Sequence, residues 1–451
     1  MAPLSRKDEL LARVNFPPYT IKMLTHRHIL VAGGGGKAKT GISNAIKIYE
    51  LSYDGKRCRA ESSSHYETGD TPIMNCATFH NGKYLVLAAG LDGYCQFYQI
   101  TFKITHPEEE GELIENGKKV ENIEPNVRKR QVSGERKATI GNEENNKGTE
   151  NKLPDGSNKK NDKNRNSIST LVGFNVQPLQ SIQTDFSKED PFQNVVRVSS
   201  DHKFLVTGGA DGALRIWQYP LLKAFGTITA HKDEIEDIDI SPTAKQIVSL
   251  SRDGHAFVWN RANKEMVVEL SWSPPGTEKY RFRNCRYSIV EDDKVNCCLF
   301  TSHNPLSRTR QKKSPSSYLV KWDTTTYLPK KVQATGTDIL SSMAVSDDGR
   351  FVAVGTMSGN VDIYIAFSLQ RILHSEGTHS FFVTGLEFIP TSEEMHQVAG
   401  DYDASVVSIS VDNQIKIHHI PKQVTISIFW VLLMFVAILV FVFTFMSYIG
   451  L

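Results

Sequence analysis

A strand, a tight turn and a second alternating strand recur seven times along this chain of 451 residues. The paired runs are 29–34 with 44–51, 84–90 with 93–100, 204–220, 246–261, 297–303 with 318–324, 351–367 and 406–420. Their turns carry the Asp-Gly, Ser-Gly or Asp-Asn pairs that suit a hairpin, as in Asp211-Gly212 and Asp253-Gly254. Hairpins this numerous expose strand edges, and radial repetition is one way to protect them. Most repeat at roughly 40 to 55 residues, the spacing of propeller blades. The chain is therefore expected to be all-β, a seven-bladed β-propeller occupying 1–100 and 176–420. Runs such as 235–241 and 382–390 supply its remaining strands.

One interval breaks the spacing. Between Gln99 and Leu179 the sequence turns rich in Asn, Gly and nearly balanced charge, and aromatic residues almost vanish. Such a stretch buries too little apolar surface to offset the entropy of ordering it. Residues 101–175 are read as a disordered insertion after the second blade. Its basic clusters, Arg128-Lys129-Arg130 and Lys159-Lys160, are read as solvated linker rather than as a nuclear or lipid signal. The whole chain carries a net charge of only +2, so a nucleic-acid partner is not expected. Six cysteines without a Cys-x-x-Cys pair imply neither a disulfide framework nor a structural zinc site.

The chain's end differs again. From Val424 to Ile449 it runs 26 residues without a charge. As a helix this spans about 39 Å, more than a hydrocarbon core of about 30 Å. It is read as a transmembrane tail anchor, with Trp430 and Tyr448 at the interfaces. Lys416 and Lys422 flank its N-terminal end, which places the propeller in the cytosol.

The unusual turn is the first one, Gly33-Gly34-Gly35-Gly36-Lys37-Ala38-Lys39-Thr40-Gly41-Ile42-Ser43-Asn44. A blade needs only two to five residues there. Four glycines in a row leave carbonyls and amides free to face an ion or a partner. A P-loop would need glycine at 31 and Ser or Thr at 38, where Val31 and Ala38 stand. A dinucleotide loop would lead into a helix, and here a strand follows. Neither nucleotide motif fits.

Trp217, Trp259 and the Trp322-Asp323 pair resemble the WD-repeat signature, with His231 and His379 where that family places its turn histidine. The segments 32–46, 182–187, 207–217 and 361–370, with the apolar tail, are similar to a narrower family. It comprises the membrane-bound guanine-nucleotide exchange factors for the Sar-type small GTPase of the COPII coat, whose animal members are also called prolactin regulatory element-binding proteins. The resemblance implies a propeller on the cytosolic face of the endoplasmic reticulum membrane. It also implies a regulator of a GTPase without covalent chemistry of its own, and components of COPII exit sites as further partners. The loop after the first inner strand would bind the GTPase and be shaped by a potassium ion. Carried over residue by residue, the ion-shaped loop falls on Gly33, Gly34, Gly35, Gly36 and Gly41. The GTPase contacts fall on Ile42 and Asn44, with a second patch at Asp70, Thr71 and Pro72. Ser43 stands where some relatives have proline. Two other readings remain: a membrane-tethered WD-repeat scaffold without exchange activity, and a DNA-binding transcriptional regulator.

Overall fold

Each expected hairpin forms the middle of a four-stranded antiparallel sheet, and there are seven such sheets. The computed structural model describes residues 9–38, 41–104, 172–290, 293–306, 314–392, 394–422 and 428–450. The first strands of the sheets, from Pro18–Met23 through Asn75–His80 to Val383–Phe388, pack against one another in a closed ring. The second and third strands are apolar on both faces because each blade is covered by its two neighbours. Ile29, Leu30, Val31 and Ala32 are all fully buried, as are Val86, Leu87, Ala88 and Ala89. This explains why these strands read as continuous apolar runs. The expected seven-bladed propeller is the fold.

Closure uses a strand that no hairpin pattern reveals. Glu9–Arg13 pairs antiparallel with Gln414–Pro421, so the chain's beginning supplies the outermost strand of the last blade. Leu11 seals the joint within an apolar cluster that includes Ile409 and Ile417.

The signature residues stiffen blades rather than serve chemistry. Trp259 Nε1 donates to Ser249 Oγ at 2.9 Å, and the same hydroxyl lies 2.8 Å from His231 Nε2. Asp253 holds the other ring nitrogen at 3.1 Å. Burial lowers the His231 pKa against the pull of Asp253, so the ring is held neutral. The last blade repeats the arrangement with His379, Asp412 and Ser408, and His418 takes the tryptophan's place. All six cysteines are free, and only Cys297 is not buried.

Strand direction alternates within a blade, which gives the propeller two different faces. Turns between second and third strands, and connections from one blade to the next, lie on the first face. Turns between first and second, and between third and fourth strands, lie on the other. The glycine turn belongs to the first face, because Gly33 pairs with both Pro18 and Ala45 and Asn44 with Gly69. The last blade's third strand starts at Gln414 on that same face, and so its end at Pro421 lies on the other.

Two expected boundaries shift. The strand Tyr94–Ile104 runs through 101–104, and Val172–Gln183 begins before 175; the two are neighbours in the second blade. The long interval therefore opens inside that blade, between its third and fourth strands, not after it. Phe174 and Val176 are buried there, so the fourth strand is part of the core. The remaining residues, 105–171, lie outside the described ones, as does the expected disorder. At the other end, Ile428–Ile449 forms a 22-residue apolar helix, long enough to cross a membrane. Lys416 does not flank it. That residue lies in the strand Gln414–Pro421 and donates its ammonium to the Thr378 carbonyl. Lys422, paired with Asp401, is the flanking cation among the described residues.

Candidate functional site

The glycine turn joins the second and third strands of the first blade, His28–Gly33 and Asn44–Tyr53. Its glycines answer two different demands. A Cβ on Gly33 would sit 2.1 Å from the Pro17 carbonyl oxygen, and one on Gly34 would sit 2.1 Å from Asn44 Oδ1. These two positions are closed to any side chain by neighbouring atoms. Gly36 and Gly41 have open space around them but φ values of +79° and +81°, which disfavour other residues. Gly35 precedes the short 3-10 turn Gly36–Ala38. Lys39 and Thr40 fall outside the described residues.

Asn44 is not the exposed hydrogen-bonding group the sequence suggests. It is 5% exposed, and its amide is spent inside the chain. The Gly36 amide donates to Asn44 Oδ1 at 2.9 Å, and Asn44 Nδ2 donates to the Gly69 carbonyl at 2.9 Å. One side chain thereby ties the base of the glycine turn to the connection that carries Asp70, Thr71 and Pro72. The two patches expected from the sequence are brought together, and Asn44 is the joint. Thr68 Oγ1 donates to the Thr71 carbonyl at 3.1 Å, and Ile73 just beyond is fully buried, which fixes the connection at both ends. Asp70 is exposed; Thr71 and Pro72 are half-buried. Ile42 stands out at the tip, 41% exposed.

A second tie runs to the next blade. Lys37 Nζ lies 2.6 Å from Asp92, in the turn between the second and third strands of blade two. The hydrogen bond to Asp92 raises the lysine's pKa. Gly93 beside it accepts from the amides of Thr184 and Asp185 at 2.9 and 3.1 Å. These belong to the 182–187 segment, whose Phe186 is exposed with the Arg215 guanidinium 4.7 Å above its ring. One strip therefore runs along the first face over blades one and two: Ile42, the 69–72 connection, Lys37 with Asp92, and Phe186. Lys37, Asp92 and Phe186 were not singled out as site residues. The Leu91-Asp92-Gly93 hairpin signal reads simply as a turn, and only the fold brings it under the glycine loop.

The donors available to a cation are uncharged oxygens. Asn44 Oδ1 already accepts the Gly36 amide, which leaves backbone carbonyls of the glycine turn. Asp92 neutralises the one described lysine on that turn. Hard neutral oxygens of this kind suit a weakly charged metal ion. Among the described residues no cluster of three His, Cys, Asp or Glu side chains could hold a metal.

The WD domain, G-beta repeat family matches residues 183–218 and 222–260, which are the end of blade two with blade three, and blade four with the strand leading into it. The chain is 31% identical over 440 residues to the guanine nucleotide-exchange factor SEC12 of Mus musculus, covering 96% of each chain. It is 32% identical to the protein of that name from Rattus norvegicus, again over 96% of both. SEC12-like protein 1 of Arabidopsis thaliana is 24% identical over 55% of this chain and 56% of its own.

Proposed function

The chain belongs to the SEC12 guanine nucleotide-exchange factors, and from that premise we propose that it promotes GDP release and GTP loading on a Sar-type small GTPase. The observation that supports the site is the clamped glycine turn, with Ile42 exposed above a base locked by Asn44. A GTPase retains its nucleotide through phosphate and magnesium contacts. Only a partner that binds the nucleotide-free form more tightly than the loaded form can shift that balance. A thousandfold faster release needs about 4 kcal/mol off the barrier. A wedge that is already ordered delivers more of its contact energy than one that must first be ordered. In this reading Ile42 is the apolar knob entering between the switch segments. Asp70, Thr71 and Pro72 form the second contact, and Asn44 holds both in place. The protein regulates the GTPase and forms no covalent bond with it.

The direct test is mant-GDP release from a purified Sar-type GTPase with and without the full chain in mild detergent. Acceleration of at least a hundredfold is expected. Tight binding without acceleration would instead support a scaffold, and steeply salt-dependent binding to duplex DNA would support a transcriptional role.

A potassium ion would be held by carbonyls of the Gly33–Gly36 and Gly41 segment, giving the turn a fixed shape. Replacing potassium with N-methyl-D-glucamine should then slow release about tenfold, matching the loop variants. An unchanged rate would remove the ion from the site.

The apolar helix anchors the chain in the endoplasmic reticulum membrane with the propeller in the cytosol, where its GTPase starts COPII coat assembly. Orientation rests on Lys422 and on the absence of charge from Ile428 to Ile449. Protease added outside sealed microsomes should degrade the propeller and leave a small tail fragment. Full protection of the propeller would reverse the orientation.

A further inference from the structure

We propose that the propeller face opposite the glycine turn rests on the anionic surface of the membrane that holds the tail helix. This rests on the reading of that helix as a membrane anchor. The strand Gln414–Pro421 ends on this face, and only residues 422–427 separate it from the helix at Ile428. Fully extended, so short a connection reaches about 25 Å. The face from which it leaves therefore stays close to the headgroups.

That face is built for a lipid surface. Three turns between third and fourth strands carry an exposed large apolar side chain: Leu221, Leu328 and Phe367, exposed to 58%, 64% and 84%. They belong to blades three, five and six, and occupy the same turn in each. All three lie where the third strand turns into the fourth, on the one face of the ring. Phe367 has the Lys321 ammonium 5.6 Å from its ring; the glycine-turn face exposes large apolar side chains too, Phe186, Met357 and Phe381. The lysines Lys203, Lys223, Lys245, Lys294, Lys330 and Lys331 are exposed on turns and strand ends of this same face. Several of the acids near them are already paired, Asp323 with Lys330, Asp348 with Arg350 and Asp54 with Arg59. The glycine-turn face presents Asp70, Glu189, Asp190 and Asp233, with Lys188 and Lys232 beside them. Apolar tips ringed by lysines bind an interface through both buried area and attraction to anionic lipid. In this pose the glycine turn faces the aqueous side.

The test uses the full chain in proteoliposomes containing a photoreactive phosphatidylserine, with cross-links mapped by mass spectrometry. Cross-links are expected in 219–223, 326–331 and 366–370, at least threefold more than in 357–360 and 380–382 of the opposite face. A double variant, Leu221→Asp with Phe367→Asp, should lose them while still floating with the vesicles. Exposed tips leave the fold intact, which an unchanged melting curve verifies. Labelling confined to 428–449 in a chain that floats would overturn the proposal and leave the anchor standing. A chain that does not float would overturn the anchor and the proposal together. Protection of the three turns from hydrogen exchange in detergent, equal to that in vesicles, would assign them to a protein contact and also overturn it.

Discussion

GDP release from a Sar-type GTPase is expected to slow at least tenfold when Ile42 is replaced by Ala, with the melting temperature unchanged. Tenfold corresponds to about 1.4 kcal/mol of lost transition-state stabilisation. An exposed tip contributes little to the propeller core, and so the two readouts separate. Asn44→Ala should slow release as much or more, by a different route. It leaves the Gly36 amide and the Gly69 carbonyl without their partner, which costs about 1–3 kcal/mol of stability. It also frees the turn from the 69–72 connection. Asn44 is thus a positioning residue, and its variant should increase hydrogen exchange in 34–38 and 69–72 before any substrate is present. Asn44→Asp keeps an acceptor for Gly36 but sets a carboxylate against the Gly69 carbonyl, and should fall between. Pro72→Ala should have a smaller effect in the same direction. Wild-type release by Ile42→Ala would show that the tip is not the wedge. Ordinary exchange protection in Asn44→Ala would show that the side chain is not the clamp.

The propeller was legible because its second and third strands are covered on both sides. Runs such as Ile29–Ala32 and Val86–Ala89 must be apolar at every position, and the turns between them need Gly or Asp. Outer strands carry no such constraint. Val172–Gln183 buries only some of its residues and reads as polar chain, so the insertion was placed at 101–175 when its described edges are strand. The closing strand Glu9–Arg13 is short and lies four hundred residues from Gln414, its partner. No local pattern can announce such a pairing. The site shows the same division. Four glycines and Ile42 stand out in sequence because a turn of that length has no structural need. Asn44 is just as visible, yet sequence could not tell an exposed donor from a buried clamp. That depends on Gly69 arriving beside it. Lys37 and Asp92 form an ion pair across two blades, and the 54 residues between them hide it.

Removing residues 105–171 and joining Ile104 to Val172 through about six small polar residues is expected to leave both cooperative melting and nucleotide release intact. The two strand ends are neighbours in one sheet, and closing a shorter loop costs less. Cutting the connection from 67 residues to about six favours folding by about 2 kcal/mol. The wider cut, joining Gln99 to Leu179, should abolish folding. It removes Ile100, Phe174 and Val176, which sit with Leu24, Leu30, Ile48 and Tyr98 in the cluster between blades one and two. Phe174 meets the edge of His28 at 4.8 Å and packs on Phe102 at 5.1 Å, while Ser64 Oγ accepts its amide at 2.6 Å. Loss of three buried apolar side chains costs about 2–5 kcal/mol for each large one. The sum rivals the 5–15 kcal/mol that holds a typical domain together. The same blade carries Asp92 and orders the 182–187 segment, so its loss removes part of the proposed GTPase surface as well. If the narrow deletion aggregates, residues 105–171 carry structure the propeller needs. If the wide deletion melts like the wild type, the outer strand of blade two is dispensable and the blade can close without it.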